Sequence, residues 1–349
     1  MTGAVGLPFK DIVHPEEVPW RELSGHTVAV DGYNALYQFL ATIRQADGQL
    51  FTDRSGQVTS HLMGLTYRTT SLLAEGVRPV WVFDGPPPAL KSGTLSGRFR
   101  AKEKAEVAWQ EALAAGDLAT ARRKAAATSR LTREMVDEAV RVLDALGVPS
   151  VRAPSEGEAQ AAAMARRGQV WASASEDYDS LLFGAPRLVR GLAARGHRGQ
   201  DLAAQIIDRA ALLAELGIDE EELILVGVLV GSDYNEGAAG YGPKRALKLA
   251  QAHLGWEASL QRAGLEPAEM EPVRELFRHP EVAEVADPVF RAPDREALTR
   301  LLVDGHGFSD ERVSGALRRV RPLAAAPPPP PVPRGRQASL DGFGTEEHR

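Results

Sequence analysis

The chain has 349 residues, 44% of them hydrophobic and 25% charged, with a formal net charge of -6. It is long enough for one large or two medium domains, no apolar run approaches the ~20 residues of a membrane span, and the start MTGAVGLPFKDIVHPEE lacks the basic and then apolar pattern of a signal peptide. The lack of cysteine excludes disulfides, a thiol nucleophile and a thiolate metal site, which suits a cytoplasmic protein, and the acidic balance argues against a simple polyanion binder.

In chain order, HTVAV (26–30), RPVWVF (78–83), VPSVRA (148–153) and GQVWASA (168–174) are short, β-rich and apolar. Residues 60–75 and 130–146 carry apolar positions at helical spacing, the second run closed by Gly147. From about Ile207 to Ala263 the pattern reads as helical: a run to Leu216, an apolar helix over 222–231, a Gly-rich turn, and a helix over 243–254. Strands alternating with helices predict an α/β fold, a mostly parallel central sheet flanked by helices, with ligands at the carboxyl ends of the strands. AAAPPPPPVP (324–333) is a polyproline II spacer before a short tail.

Seven acids fall in five short motifs: Asp31 in VAVDGYN, Asp84 in VWVFDG, Glu156 and Glu158 in APSEGEAQAA, Asp177 and Asp179 in ASASEDYDSLL, and Asp233 in VGSDYN. The first four motifs each follow an apolar strand, so one sheet edge could gather six carboxylates. Carboxylates brought together repel one another and lose hydration, so such a cluster needs cations. A two-metal site acting on phosphates is the best use for it. Each acid also has a plainer reading. Asp31 and Asp84 precede glycine and could begin turns. Ser155 and Glu158 match an S-x-x-E capping box. Asp177, Asp179 or Asp233 could cap the element that follows. Capping accounts for single members and not for all seven at strand and helix ends.

Between Lys91 and Arg133 the basic residues Lys91, Arg98, Arg100, Lys102, Lys104, Arg122, Arg123, Lys124, Arg130 and Arg133 outnumber Glu103, Glu106, Glu111 and Asp117. Because this run directly follows an acidic motif, a phosphate-contacting arm is favoured over a solvated helical face. Gly240-Tyr241-Gly242-Pro243-Lys244-Arg245 opens a helix, where glycines let backbone N–H groups approach a phosphate; a tight turn without a ligand is the plainer alternative. Of Tyr33, Tyr37, Tyr178 and Tyr234, only Tyr37 is favoured as a stacking surface for a base, the others as core.

VAVDGYNALYQFL, TSHLMGLTYRT, VWVFDGPPPALKSGTL, APSEGEAQAAAMA, ASASEDYDSLLFGAPRLVR, LVGSDYNEGAAGYGPKRAL and the tail QASLDGF together resemble the flap endonucleases, structure-specific 5′ nucleases of DNA replication and repair, of the archaeal type. The resemblance runs from end to end. It implies a saddle-shaped 5′-nuclease (PIN-like) fold that cuts DNA 5′ flaps, with 5′→3′ exonuclease activity, in Okazaki-fragment maturation and base excision repair. It implies two Mg²⁺ ions, replaceable by Mn²⁺, one nearer Asp31, Asp84 and Glu156 and the other nearer Glu158, Asp177, Asp179 and Asp233. Lys91 and Arg98 match residues that steer the scissile phosphate. Tyr37 matches the aromatic near the flipped terminal nucleotide, and Arg44 and Arg68 match DNA-contacting arginines. Residues 231–247 look like the helix–two-turn–helix that binds duplex phosphates with a K⁺ ion; Gly231, Asp233, Gly240, Gly242, Lys244 and Arg245 fall there, and Glu156 joins the DNA-facing set. The implied regions are an N-terminal nuclease region (1–101), a helical arch (102–133), an internal nuclease region (134–261), a C-terminal helical region (262–323) and a clamp-binding tail (324–349). Gln337, Leu340 and Phe343 fit a peptide for the sliding clamp PCNA, with Gly344 in place of its second aromatic and a weaker interaction expected. The start Met1-Thr2-Gly3 also departs from the family's Met-Gly. The implied enzyme is a monomer, cytoplasmic and nucleoid-associated, without a membrane partner. Two other readings stand beside it: an inactive DNA-junction binder that partners the clamp, and a related nuclease preferring bubbles or nicks.

Overall fold

The four apolar runs become four adjacent parallel strands, with Thr27–Asp31, Arg78–Phe83 and Ala172–Ala174 buried along nearly their whole length and Ser150–Arg152 only partly covered. The computed structural model describes residues 7–193 and 203–320; for 92–101 it describes the backbone. In chain order the regular elements are β1 (Glu16–Pro19), β2 (Thr27–Asp31), α1 (Gly32–Thr42), α2 (Ser60–Ala74), β3 (Arg78–Phe83), α3 (Ser92–Ala114), α4 (Leu118–Ala125), α5 (Arg133–Ala145), β4 (Ser150–Arg152), α6 (Gly157–Arg166), β5 (Ala172–Ala174), α7 (Asp179–Leu182) and β6 (Arg187–Arg190). They continue as β7 (Ala203–Asp208), α8 (Arg209–Leu216), α9 (Glu220–Val230), α10 (Pro243–Ala250), α11 (Trp256–Ala263), α12 (Pro267–Arg278), α13 (Arg295–Leu298) and α14 (Asp310–Arg319).

The seven-stranded sheet has the order β1-β7-β6-β5-β2-β3-β4. From β6 to β4 neighbours are parallel, whereas β7 and β1 join antiparallel. Along β2 and β3, Val28, Val30, Trp81 and Phe83 enter one core with α1, α2 and α5, while Ala29, Val80 and Val82 pack on Ala161 and Met164 of α6. Both faces are therefore dry, and the strands read as unbroken apolar runs. A second core surrounds α9, whose residues Leu223–Leu229 are buried on all sides against Leu181, Phe183, Leu249, Leu260 and Phe277. An Asp219–Glu222 capping box starts that helix.

The structure adds an antiparallel end that the apolar pattern does not announce. The helical reading from about Ile207 is corrected: Ile207 and Asp208 end β7, and α8 begins at Arg209 with Asp208 as its side-chain cap. β1 is the edge strand and β7 lies between it and β6, both only partly buried, so their sequences stay mixed. Within the 262–323 region, residues 279–294 have neither helix nor strand. They run past α6, where Gln160 exchanges two hydrogen bonds with the backbone of Ala283 and Gln169 donates to Val285.

The basic segment forms the helical hairpin α3–α4, turned at Gly116. Trp109 Nε1 donates to the Asp47 carbonyl at 3.1 Å, tying α3 to the loop after α1. No helix among the described residues is long and apolar enough to cross a membrane.

Candidate metal centre

Strands β5, β2, β3 and β4 end side by side, and their carboxyl ends place six of the seven acids along one edge. Asp31 ends β2 and caps α1, its Oδ1 accepting from the Asn34 N–H at 3.0 Å and its Oδ2 from Ser175 Oγ at 3.3 Å. Asp84 follows β3 and accepts from the Gly157 N–H at 2.8 Å. Glu156 is the N-cap of α6 and makes no side-chain cap bond, so the Ser155–Glu158 capping box does not form. Glu158 lies in the first turn of α6 and accepts from Ser180 Oγ at 3.3 Å. Asp177 Oδ1 accepts from the Leu7 N–H at 3.1 Å and the Tyr178 N–H at 2.7 Å, and Asp179 starts α7 without capping it. The seventh acid, Asp233, arrives from the opposite side on the turn after α9.

Lys91 closes that gap. Its Nζ lies 2.8 Å from Glu156 Oε2 and 3.4 Å from Asp233 Oδ2, and 5.7 Å from the centre of the Tyr234 ring. Burial alone would lower its pKa, but Glu156, Asp233 and Asp84 reverse the sign and hold the ammonium above its ordinary range.

Among the described residues the remaining acids have no cation in ion-pair range, although Lys91 also acts on Asp31, Asp84 and Asp179 from further off. Burial, then the Asp31 and Glu156 charges, pushes Asp84 up to about 8. Burial pushes Asp31 up to about 6. Burial and the neighbouring acids also raise Glu158, Asp177 and Asp179. Carboxylate oxygens of Glu158, Asp177 and Asp179 lie within 4.8 Å of one another. Asp179 Oδ1 is buried with no hydrogen-bond partner. An orphaned carboxylate oxygen facing two more carboxylates, all oxygen donors, fits a hard divalent cation.

The expected DNA-facing residues divide. Tyr37 is half-buried, with Lys102 Nζ of α3 4.8 Å above its ring. Lys244 and Arg245 are exposed at the start of α10, whose N-cap is Gly242 and whose first residue is Pro243. Arg245 rests 4.3 Å over the Tyr241 ring and donates to the Gly240 carbonyl. Gly231 ends α9 at φ +98, so the backbone itself calls for glycine there. Arg68 lies 5.1 Å over Trp20, and burial lowers its pKa to about 10.

Arg44 is buried and donates to the Leu40 and Gly48 carbonyls and to Ser129 Oγ at 2.8–3.0 Å, so in this conformation it braces the base of the α3–α4 hairpin. The side chain of Arg98 and the tail residues Gln337, Leu340 and Phe343 lie outside the described residues. Tyr178 and Tyr234 are buried and Tyr33 packs on Phe83, as expected of core.

Sequence reasoning passed over Gly157, Ser175 and Leu7. A Cβ at position 157 would sit 2.5 Å from Asp84 Oδ1. A glycine wedged between two glutamates at a helix start was its available signal. The Leu7 contact is made by backbone and had none.

The XPG N-terminal domain matches residues 9–105 and the XPG I-region residues 147–233. Flap endonuclease 1 of Aeropyrum pernix is 47% identical over 97% of this chain and 99% of its own length, and that of Pyrococcus abyssi is 42% identical over 97% and 98%. The flap endonuclease-1 structure from Methanococcus jannaschii superposes with a TM-score of 0.71 at 37% identity, covering 90% of this chain and 98% of that one. The catalytic core of Rad2 in complex with DNA substrate, at 24% identity, shares the fold with a TM-score of 0.69 over 90% of this chain and all of its own. By sequence and by fold, the chain belongs to the flap endonuclease family, archaeal type.

Proposed function

We propose that the seven carboxylates bind two Mg²⁺ ions, with Mn²⁺ able to substitute, and that the chain uses them to hydrolyse DNA at the base of a 5′ flap and to trim 5′ ends, in Okazaki-fragment maturation and base excision repair. The observation that carries the metal reading is the Asp179 oxygen, buried and unpaired beside Glu158 and Asp177. When bound, divalent ions supply water activation and Lewis-acid stabilisation of the phosphate and the departing 3′-oxygen. The protein's part is to hold the carboxylates convergent, with bound ions favouring their ionised form. Asp31 is fixed by Asn34 and Ser175, Asp84 by the α6 amide, and Asp177 by the Leu7 and Tyr178 amides. Lys91 stands between Glu156 and Asp233 with a movable ammonium. Turned toward an incoming phosphate, it offsets charge developing there, and Arg98 is assigned the same task.

The hairpin α3–α4 is read as the arch that a free 5′ end threads, with Tyr37 beneath it as the base-stacking surface. The turn Gly240–Arg245 is read as the duplex phosphate contact with its K⁺ ion. A Cβ at Gly242 would meet nothing within 4 Å, so the protein does not itself require glycine there, and the open space favours a ligand approaching the α10 N-terminus. The tail is assigned to PCNA, and the enzyme to the cytoplasm at the nucleoid as a monomer. Cleavage of matched flap, nick, bubble and single-stranded DNAs, with Mg²⁺ or EDTA, tests the reading. The flap should be cut preferentially and only with metal; equal cutting of bubble and flap, or cutting in EDTA, refutes it.

A further inference from the structure

The loop Ser175–Asp179 delivers two carboxylates, yet its fastening comes from outside the cluster. Tyr178, between Asp177 and Asp179, faces away from the cluster; it is 4% exposed and packs 6.0 Å from Phe9. Arg190, at the end of β6, grips the loop through three nitrogens. Its Nε and Nη2 donate to the Glu176 carbonyl at 3.2 and 3.0 Å. Its Nη1 donates to the Tyr178 hydroxyl at 2.5 Å, and its guanidinium carbon lies 4.2 Å from the centre of that ring. The Glu176 side chain is bound to the same strand end, accepting from the Gly191 N–H at 2.8 Å. Gln205 of β7 steadies Arg190 from behind at 3.4 Å.

We infer that Arg190 and Tyr178 form a latch that positions Asp177 and Asp179 for metal binding, so that the β6 end sets the affinity of the site without touching it. The inference rests on reading those two acids as metal ligands. Only a planar guanidinium can serve one carbonyl twice, a phenol once and a ring face together; an ammonium is a point charge without that fork. Outer-shell partners of this kind typically govern metal affinity by ~10–100-fold. Arg190 is a positioning residue, since among the described residues it hydrogen-bonds to Glu176, Tyr178 and Gln205 rather than to the seven acids.

Charge and geometry predict opposite signs, which makes the latch testable. Removing a cation near an acidic cluster would by Coulomb's law alone strengthen divalent binding. The experiment is Mn²⁺ binding to the full chain without DNA, followed by electron paramagnetic resonance of free Mn²⁺, on wild type, Asp179→Asn, Arg190→Lys, Arg190→Gln and Tyr178→Phe. Arg274→Ala, which loses a comparable guanidinium bonded to Glu221 and Glu271, is the distant control. The latch predicts ~10-fold weaker Mn²⁺ binding for both Arg190 variants, a few-fold for Tyr178→Phe, and none for Arg274→Ala. Unchanged or tighter binding by Arg190→Gln, or a lowered melting temperature with unchanged Mn²⁺ affinity, overturns it. Should the Arg190 variants not fold, Tyr178→Phe decides by the same criterion. If Asp179→Asn binds Mn²⁺ as wild type does, the metal reading itself fails.

Discussion

Asp31, Asp84 and Glu156 are held differently from Glu158, Asp177 and Asp179, although both groups sit on one sheet edge. In the first group Glu156 pairs with Lys91, Asp84 accepts from the α6 amide, and Asp31 accepts from the Asn34 amide and Ser175 Oγ. The second is half-buried at Glu158 and Asp177 and buried at Asp179, has no cation in hydrogen-bond range among the described residues, and contains the orphaned Asp179 oxygen. The contrast teaches that one half of the site is compensated by the protein and the other half is left for an added ion. It also explains why Lys91 bridges Glu156 to Asp233: it joins the sheet edge to the turn after α9, two pieces of chain with separate cores.

The largest effect that could break this contrast is the loss of a ligand. Asp179→Asn should lower flap cleavage by ~10³-fold while leaving flap affinity in Ca²⁺ near wild type. The same variant should melt at a higher temperature than wild type without metal, since it removes a buried unpaired charge, whereas Glu156→Gln should melt lower by leaving Lys91 half-paired. Equal metal-free melting temperatures would erase the distinction between the halves. Next in size, Lys91→Ala should reduce kcat by ~10²-fold with little change in KM, as expected for a charge used at the transition state. Loss of binding with kcat intact would make Lys91 a ground-state contact instead.

A smaller effect is expected at Gly157. Gly157→Ala should push Asp84 off the α6 amide and reduce cleavage by ~10-fold, most visibly as a raised Mg²⁺ requirement in a metal titration.

The smallest effect is on pH. Asp31 and Asp84 have folded-state pKa values of about 6 and about 8, above the ordinary 3.8. Raised acids bind protons that the unfolded chain has already released, so metal-free stability is greatest near pH 4 and declines as pH rises toward 8. Metal binding at pH 7 should therefore release protons, measurable by calorimetry in buffers of different ionisation enthalpy. A metal-free stability that rises over this window would contradict the buried, unpaired state of these acids.

The parallel half of the sheet was readable because Val28, Val30 and Trp81 on one face and Ala29, Val80 and Val82 on the other are all buried and leave an unbroken apolar signal. The site was readable for a related reason: ligands gather where parallel strands end, and the acids follow those ends. The antiparallel end was not readable, because β7 is only partly buried and carries Gln205 and Asp208 among its apolar residues. The bracing role of Arg44 was not readable, because only packing brings the Leu40 and Gly48 carbonyls and Ser129 Oγ around its guanidinium.

The sequence by itself determined the α/β class, the seven carboxylates, the basic run between Lys91 and Arg133 and the family, since each depends on residue type and order along the chain. Tertiary structure alone decided which oxygens are already satisfied, that Lys91 spans Glu156 and Asp233, that Asp84 rather than Ser155 meets the α6 amide, and that Arg190 fastens the Asp177–Asp179 loop. Those relations join residues far apart in the chain, and no local periodicity encodes a contact made only when separate strands and helices meet.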